Sequence, residues 1–438
     1  MQIRHVTTAF LQRADGKILL GKRSSDVNTY PGKWAAISGS VEEESPPERA
    51  RIEVEEETGI SGKDLHDAVR GLAVRFPAWD IDIFWVVHPF LYECHNPESV
   101  RRDWEHVQFE WVEPETLNEI PTVPKLVDAW TSVARAAESS GERRSESIFQ
   151  TVENDTEHGA EQLGLWTLAG LRAAVSEIGP QIQKDMRPVC RLAAQLRPSM
   201  ATPQTAALNV WEVIQENSSK NVQGKKGLVQ ALDRLIHQRE KALLLAGEKA
   251  GERIPEGSHV ISLSYSSSVL LALSAARRKI KALTVAESRP ECEGRELARA
   301  AAGFGIETSL VTDAAACSAT TRADVVLCGA DSLLSGGSFA NKIGTFALCA
   351  AARLKNIRTF AVATTSKLTP AGFEPELQKG PEDQIGPAPQ NVRLDNPIFE
   401  RVPAEVVTEI IVESGVISGK KMIRETNQLG KLREELFS

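Results

Sequence analysis

The chain has 438 residues, 42 % of them hydrophobic and 25 % charged, with a formal net charge of −8. That length exceeds one ordinary core and fits two or three domains, and the negative balance argues against bulk binding to nucleic acid or to an anionic membrane. The six cysteines include no CxxC pair, which argues against a zinc knuckle or a disulfide framework and fits a reducing, cytoplasmic setting.

The opening MQIRHVTTAFLQRADGKILLGKR alternates apolar and polar residues, turns at Asp15-Gly16 and alternates again. This is the pattern of two strands and not of a secretory leader. No apolar run of about 18 residues occurs, so no membrane span is expected. Strands are predicted at 4–12, 17–22, 69–76, 81–90 and 107–112, with helices at 46–58 and 122–137, giving a first domain over 1–137. Residues 138–160, polar and rich in Ser, Gly and mixed charge, read as a linker. Helical periodicity then dominates a subdomain over 161–250, broken near Gly179-Pro180, Arg197-Pro198 and Gly224, with a long helix at 225–250. From 251 to 438 short apolar strands (258–263, 281–286, 306–311, 324–328 and 358–363) alternate with helices (267–277, 293–303 and 341–354). That is the rhythm of a parallel sheet covered on both faces. Residues 370–395 read as a long loop and 403–414 as a last helix.

Two groups of residues point to chemistry. Ser45-Pro46-Pro47-Glu48 is a strong helix start, with a capping box and a proline where its missing N–H costs nothing. Gly59 ends that helix. Glu53, Glu56 and Glu57 stand at i, i+3 and i+4, which sets three carboxylates on one face. A magnesium ion bridging them to a diphosphate would relieve their repulsion; a solvated acidic helix face is the competing reading. In the C-terminal part, strand ends carry small polar groups: Ser264 to Ser268, Arg289, Asp331, and Asn341-Lys342 before a helix. Carboxyl ends of parallel strands are where open α/β sheets place ligands, with Arg289 and Lys342 as positive charge and Asp331 as an acid or base.

The segment GSVEEESPPERARIEVEEETGI (39–60) resembles the Nudix box: glycine, five residues, glutamate, seven residues, then Arg-Glu-apolar-x-Glu-Glu-x-Gly-apolar. YPGKWAAISG and EHVQFEWVEPETL extend the resemblance over most of 1–135. It implies magnesium, or manganese in its place, held by Glu53, Glu56 and Glu57, with Glu44 accessory, and hydrolysis of a phosphoanhydride such as a nucleoside-diphosphate-linked compound. Two departures stand out. Ile52 occupies the box arginine's place, with Arg51 turned about 100° away, so a bond that orients the glutamates is missing. The loop from Gly39 to Glu44 is also one residue short. Arg23 and Lys33 could meet phosphate charge. Trp34, Phe76, Trp79, Phe84 and Trp85 could stack on a base, although strand aromatics more often fill a core.

LRPSMATPQTA, SLSYSSSV, ESRPECEGRELA, GADSLLSGGSFANKIGT and DNPIFERVPAEVVTEIIVESG resemble the family of the alpha, beta and delta subunits of translation initiation factor 2B. Ribose-1,5-bisphosphate and methylthioribose-1-phosphate isomerases belong to the same family. The resemblance covers roughly 160–430. It implies a helical subdomain, a Rossmann-like parallel-sheet domain and homodimerisation through that sheet domain, with related regulatory subunits as a further class of partner. Asp331 matches the isomerases' aspartate, but Ser264 stands at their cysteine, and serine is the weaker acid and nucleophile. Arg197, Ser264, Arg289, Asn341 and Lys342 are the expected phosphate-site residues. The expected whole is an α/β protein, a Nudix α/β/α sandwich followed by a helical subdomain and a Rossmann-like domain. Its reading is a magnesium-dependent hydrolase with a sugar-phosphate- or nucleotide-binding dimerisation module. A non-catalytic regulatory or scaffold protein and a sugar-phosphate isomerase are the alternatives.

Overall fold

The structure, a computed structural model, describes residues 2–42, 44–61, 65–78, 81–138, 143–155, 158–219 and 224–438, without the side chains of 66–68 and 217–219. Trp79, one of the stacking candidates, lies outside the described residues, as do 139–142 and 156–157 of the segment read as a linker. The chain forms two compact units, 1–147 and 148–438. Among the described residues no helix is long and apolar enough to cross a membrane.

The first unit is built on an eight-stranded mixed sheet. Gln2–Gln12 runs parallel to Ile83–Cys94, with Gln2 opposite Ile83 and Gln12 opposite Glu93. Ile37–Ser40 pairs antiparallel with the first of these strands, and Ile18–Arg23 carries His106–Val112 on its other side. Successive strand side chains point to opposite faces, and the first strand shows it. Ala9 and Leu11 pack with Ala50 and Val54 of the helix Pro46–Thr58, while Phe10 packs with Leu126, Ala129 and Val133 of the helix Leu126–Glu138. The sheet is therefore a filling between two helices. The strand expected at 69–76 is two strands, Leu65–Arg70 and Val74–Ala78, both antiparallel to Ile83–Cys94. The break falls at Gly71, whose N–H donates to Pro89 O at 3.0 Å and where a Cβ would fall 2.6 Å from Ser132 Oγ.

Within the segment read as a linker, residues Arg144–Asn154 form a helix. Ile148, Phe149 and Val152 are buried; one apolar face of three residues among many polar ones is a weak signal in sequence. In the second unit the helices Ala160–Glu177, Ile182–Gln195, Ala201–Ser219 and Lys225–Arg253 precede a seven-stranded sheet. Its order in space is Thr308–Val311, Ile280–Ala286, Ser258–Leu263, Val325–Gly329, Arg358–Val362, Glu409–Val412 and Gly415–Val416, parallel except for the last pair. The chain winds outward from Ser258–Leu263 in one direction, then returns beside it and continues in the other. Such an order creates a topological switch point between Ser258–Leu263 and Val325–Gly329, the place where open α/β sheets bind ligands.

Two expectations fail here. The helix expected at 403–414 is a short 3-10 turn, Ala404–Val406, followed by the strand Glu409–Val412. The β-branched run in EVVTEIIV favours the extended form, and a vacant sheet edge takes it up. The last helix is instead Gly419–Phe437. Asn341 and Lys342 do not start a helix. They end the strand Phe339–Lys342 of a small antiparallel sheet with Ser332–Leu333 and Phe399–Val402.

Candidate functional site

The Nudix-type helix starts as its sequence requires: Ser45 N–H donates to Glu48 Oε2 at 3.0 Å, and Gly59 closes it in the left-handed conformation. The helix does not present a solvated acidic face. Glu53 is 6 % exposed and Glu57 3 %, whereas the Glu56 side chain stands at the rim, 60 % exposed. The strand Ile37–Ser40 receives the buried pair. Ser38 N–H donates to Glu57 Oε1 at 3.2 Å. A Cβ at Gly39 would fall 1.5 Å from Glu53 Oε1, so only glycine lets this carboxylate lie against the strand.

Glu57 Oε2 is buried and, among the described residues, has no hydrogen-bond partner. His106 Nδ1 stands 3.6 Å away and is itself 3.2 Å from Asp103 Oδ1. Burial, reinforced by the charges of Glu53 and Glu105, holds the Glu57 carboxyl well above the ordinary carboxylate range. Burial also raises Glu53, against the pull of Arg49, and raises Glu105, to which Asp103 adds. Burial pushes the His106 imidazole down, so the ring does not neutralise the cluster. The buried Glu57 oxygen is what a hard divalent cation would satisfy here, although the ligand oxygens of Glu53, Glu56 and Glu57 do not all converge within 4.8 Å of one another as they stand.

Ile52 leaves the box position without a guanidinium, and a different arginine reaches the glutamates. Arg49, one turn back, forms an ion pair with Glu53 and lies 3.5 Å from Glu56 Oε2. Arg49, Asp103, Glu105 and His106 were not singled out in sequence; the i, i+4 spacing of Arg49 and Glu53 was the available signal. Of the substrate-loop candidates, Arg23 Nε donates to Thr29 O at 2.9 Å and Lys33 is exposed. Phe84 and Trp85 are both buried, Trp34 packs beside the second helix, and Phe76 packs on Trp85; the core reading holds for these four.

At the switch point of the second unit, Ser264 follows one strand and Asp331 the other. Ser264 adopts φ +60, as few residues other than glycine do. Its N–H donates to Ser288 Oγ at 2.6 Å and its hydroxyl to Glu293 Oε1 at 2.9 Å. Glu293 Oε1 is 2.7 Å from Lys342 Nζ, which also pairs with Glu291. Lys342 is 3 % exposed. Asn341 donates to Thr345 Oγ1 at 2.9 Å. Lys367 donates to Ala330 O at 2.6 Å and approaches Asp331 Oδ1 at 4.0 Å. The structure therefore gathers Ser264, Asp331, Asn341 and Lys342. Arg289 is exposed and turned to Gln384 O. Arg197 is spent on the carbonyls of Glu153 and Asp155 at 2.9 and 2.8 Å; Asp155 also holds His158, Nδ1 to Oδ2 at 2.7 Å.

Two predictions arise from this cluster. Replacing Lys342 by methionine leaves Glu291 and Glu293 facing one another uncompensated. Both are partly exposed, so the expected loss is about 2 kcal/mol, below that of a fully buried pair; it is read as a lowered urea midpoint. Burial, opposed by Lys367 and Lys342, holds the Asp331 carboxyl above its ordinary 3.8. A carboxyl raised on folding stabilises below its unfolded value, and that contribution is lost as pH rises through the folded value. Asp331→Asn is therefore expected to stabilise the protein at pH 7, and the gain should vanish below 3.8. Urea melts at both pH values check it.

A buried acidic cluster on a helix of one unit and a doubly wound, largely parallel sheet in the other define a modular α/β protein. The chain belongs to the initiation factor 2 subunit family, whose family model matches residues 156–419; residues 2–131 match the NUDIX domain. Ribose 1,5-bisphosphate isomerase of Thermococcus kodakarensis is 28 % identical over 253 residues, which is 53 % of this chain and 77 % of that protein. Methylthioribose-1-phosphate isomerase of Geobacter sulfurreducens is 26 % identical, covering 62 % of this chain and 87 % of its own length. Among solved structures, translation initiation factor eIF-2B of Pyrococcus horikoshii superimposes with a TM-score of 0.53 at 24 % identity, over 63 % of this chain and 97 % of that one. That likeness establishes the fold of the second unit.

Proposed function

We propose that the first unit is a divalent-cation-dependent pyrophosphohydrolase of the Nudix type, acting on a phosphoanhydride such as a nucleoside-diphosphate-linked compound. The observation that carries it is the buried pair Glu53 and Glu57, with a Glu57 oxygen that has no hydrogen-bond partner among the described residues, on the helix that also carries the exposed Glu56. Magnesium, or manganese in its place, would be held by these three glutamates and, when bound, would neutralise diphosphate charge and acidify a water. The chain supplies the rest. Arg49 fixes Glu53, Ser38 N–H fixes Glu57, and Gly39 gives Glu53 the space to sit against the strand. Glu105, near enough for its charge to act on both Glu53 and Glu57, would be the chain's candidate to take a proton from the attacking water. The test is phosphate release by the purified full chain with and without magnesium, across nucleoside-diphosphate-linked compounds and sugar bisphosphates. No magnesium-dependent release from any of them would sink the proposal.

For the second unit we propose binding of a sugar phosphate or nucleotide at Ser264, Asp331, Asn341 and Lys342 without turnover, and homodimerisation through the sheet domain, in the cytoplasm. The serine that stands at the isomerases' cysteine favours this regulatory reading. Its hydroxyl is committed to Glu293, which argues against a nucleophilic role, and a phosphate bound here would have to displace Glu291 and Glu293 from Lys342. Arg197 and Arg289 have other partners here and are not part of this proposal.

A further inference from the structure

The second unit contains a cavity of about 320 Å³ between the helices Ala201–Ser219, Lys225–Arg253 and Gly419–Phe437 and the turn that follows the strand Arg358–Val362. Its lining includes none of Ser264, Asp331, Asn341 or Lys342. The two places share only the turn. Lys367 reaches Ala330 O and Asp331, while Thr364, Thr365 and Ser366 line the cavity.

Arg239 lines this cavity and is 6 % exposed. Its Nη1 makes one long bond to Thr202 O, 3.4 Å. Its Nε and Nη2 are buried and, among the described residues, have no hydrogen-bond partner. Burial brings the guanidinium down to about 10, opposed by the charges of Glu161 and Glu413, so it stays protonated at neutral pH. The fold makes room for it: a Cβ at Gly164 would fall 3.0 Å from Arg239 Nη1 and 2.8 Å from Thr202 Cβ. A buried guanidinium with two undirected donors is costly unless an acceptor arrives.

The lining decides which acceptor. Arg239 shares the lining with Glu212, Glu413 and Glu425, the amides of Asn209, Gln238 and Gln428, and the hydroxyls of Thr205 and of the turn; Glu212 already accepts from Gln428, Glu413 from Thr365 N–H, and Glu425 lies 3.8 Å from Lys421 and from Arg424. A phosphate dianion would add negative charge beside three carboxylates. A hydroxyl group suits both kinds of neighbour, because it accepts from guanidinium and amide N–H and donates to carboxylate. We infer that this cavity binds a neutral polyhydroxy compound, a free sugar or a nucleoside, whose oxygens accept from Arg239 and whose hydroxyls donate to the surrounding glutamates and amides. The site is separate from the proposed hydrolysis, which is assayed independently.

Calorimetry of the full chain with D-ribose, adenosine and inorganic phosphate tests it. Saturable binding of ribose assigns the free sugar; binding of adenosine alone assigns the nucleoside. In either case affinity should fall at least about tenfold in Arg239→Met, which removes the charged donors, and by about threefold in Asn209→Ala. If circular dichroism shows that Arg239→Met is unfolded, Asn209→Ala and Gln238→Ala decide. The inference is overturned if neither ribose nor adenosine binds, if their affinities are unchanged in the folded variants, or if inorganic phosphate binds more tightly than both and is lost with Arg239.

Discussion

Replacing Glu56 and Glu57 together by glutamine is expected to lower magnesium-dependent hydrolysis by about 10³-fold or more while the first unit stays folded. A bound cation supplies several kcal/mol to a phosphoryl transition state, and each 1.36 kcal/mol is a factor of about ten in rate. Glutamine keeps the shape of the side chain and still offers an oxygen to Ser38 N–H, but it cannot carry the charge. The two positions differ. Burial disfavours the ionised form of Glu57, so in the absence of metal Glu57→Gln should leave the melting temperature unchanged or raise it. Glu56 is exposed, and its loss should change stability little. Activity retained by the folded double variant would show that the acidic cluster is not the catalytic centre.

The acidic cluster was half legible in the sequence. Spacing placed Glu53, Glu56 and Glu57 on one face, but spacing alone does not say which members are buried. That depended on the strand Ile37–Ser40, four residues long and too short to carry a clear period. The proline-led helix start and the glycine stop are local signals, and both hold. Parallel strands in the second unit were legible because each is an apolar run bounded by turns. The edge strand Glu409–Val412 was not, since a short apolar run serves a helix or a strand and only the vacant sheet edge decides. The same limit explains the C-terminal cluster. Ser264 and Asp331 follow the two strands that flank the switch point, and Asn341 and Lys342 come to them from the separate small antiparallel sheet, whereas Arg197 and Arg289 carry the right charge but find partners that no linear pattern announces.

The ion pair between Arg49 and Glu53 leads to the second large effect. Arg49→Ala is expected to lower kcat by about 10- to 100-fold, the usual consequence of removing a partner that orients a metal ligand. Arg51→Ala should change it less than about twofold, although Arg51 lies nearer in sequence to the arginine's usual place. The helix turns once every 3.6 residues. Four residues bring Arg49 back over Glu53, while two residues send Arg51 to the opposite side. If Arg49 acts by orientation, its loss should appear in kcat and in the magnesium concentration needed for half activity, with KM for the substrate little changed. A second substitution separates orientation from mere helix stability. Ile52→Arg in the Arg49→Ala background returns a guanidinium to the position used by the Nudix pattern and should recover part of the lost rate, whereas Ile52→Lys, lacking the planar fork, should recover less. Equal activity of Arg49→Ala and the parent protein would mean that Glu53 holds its place without the arginine, and that Gly39 and the enclosing strand are sufficient to orient it.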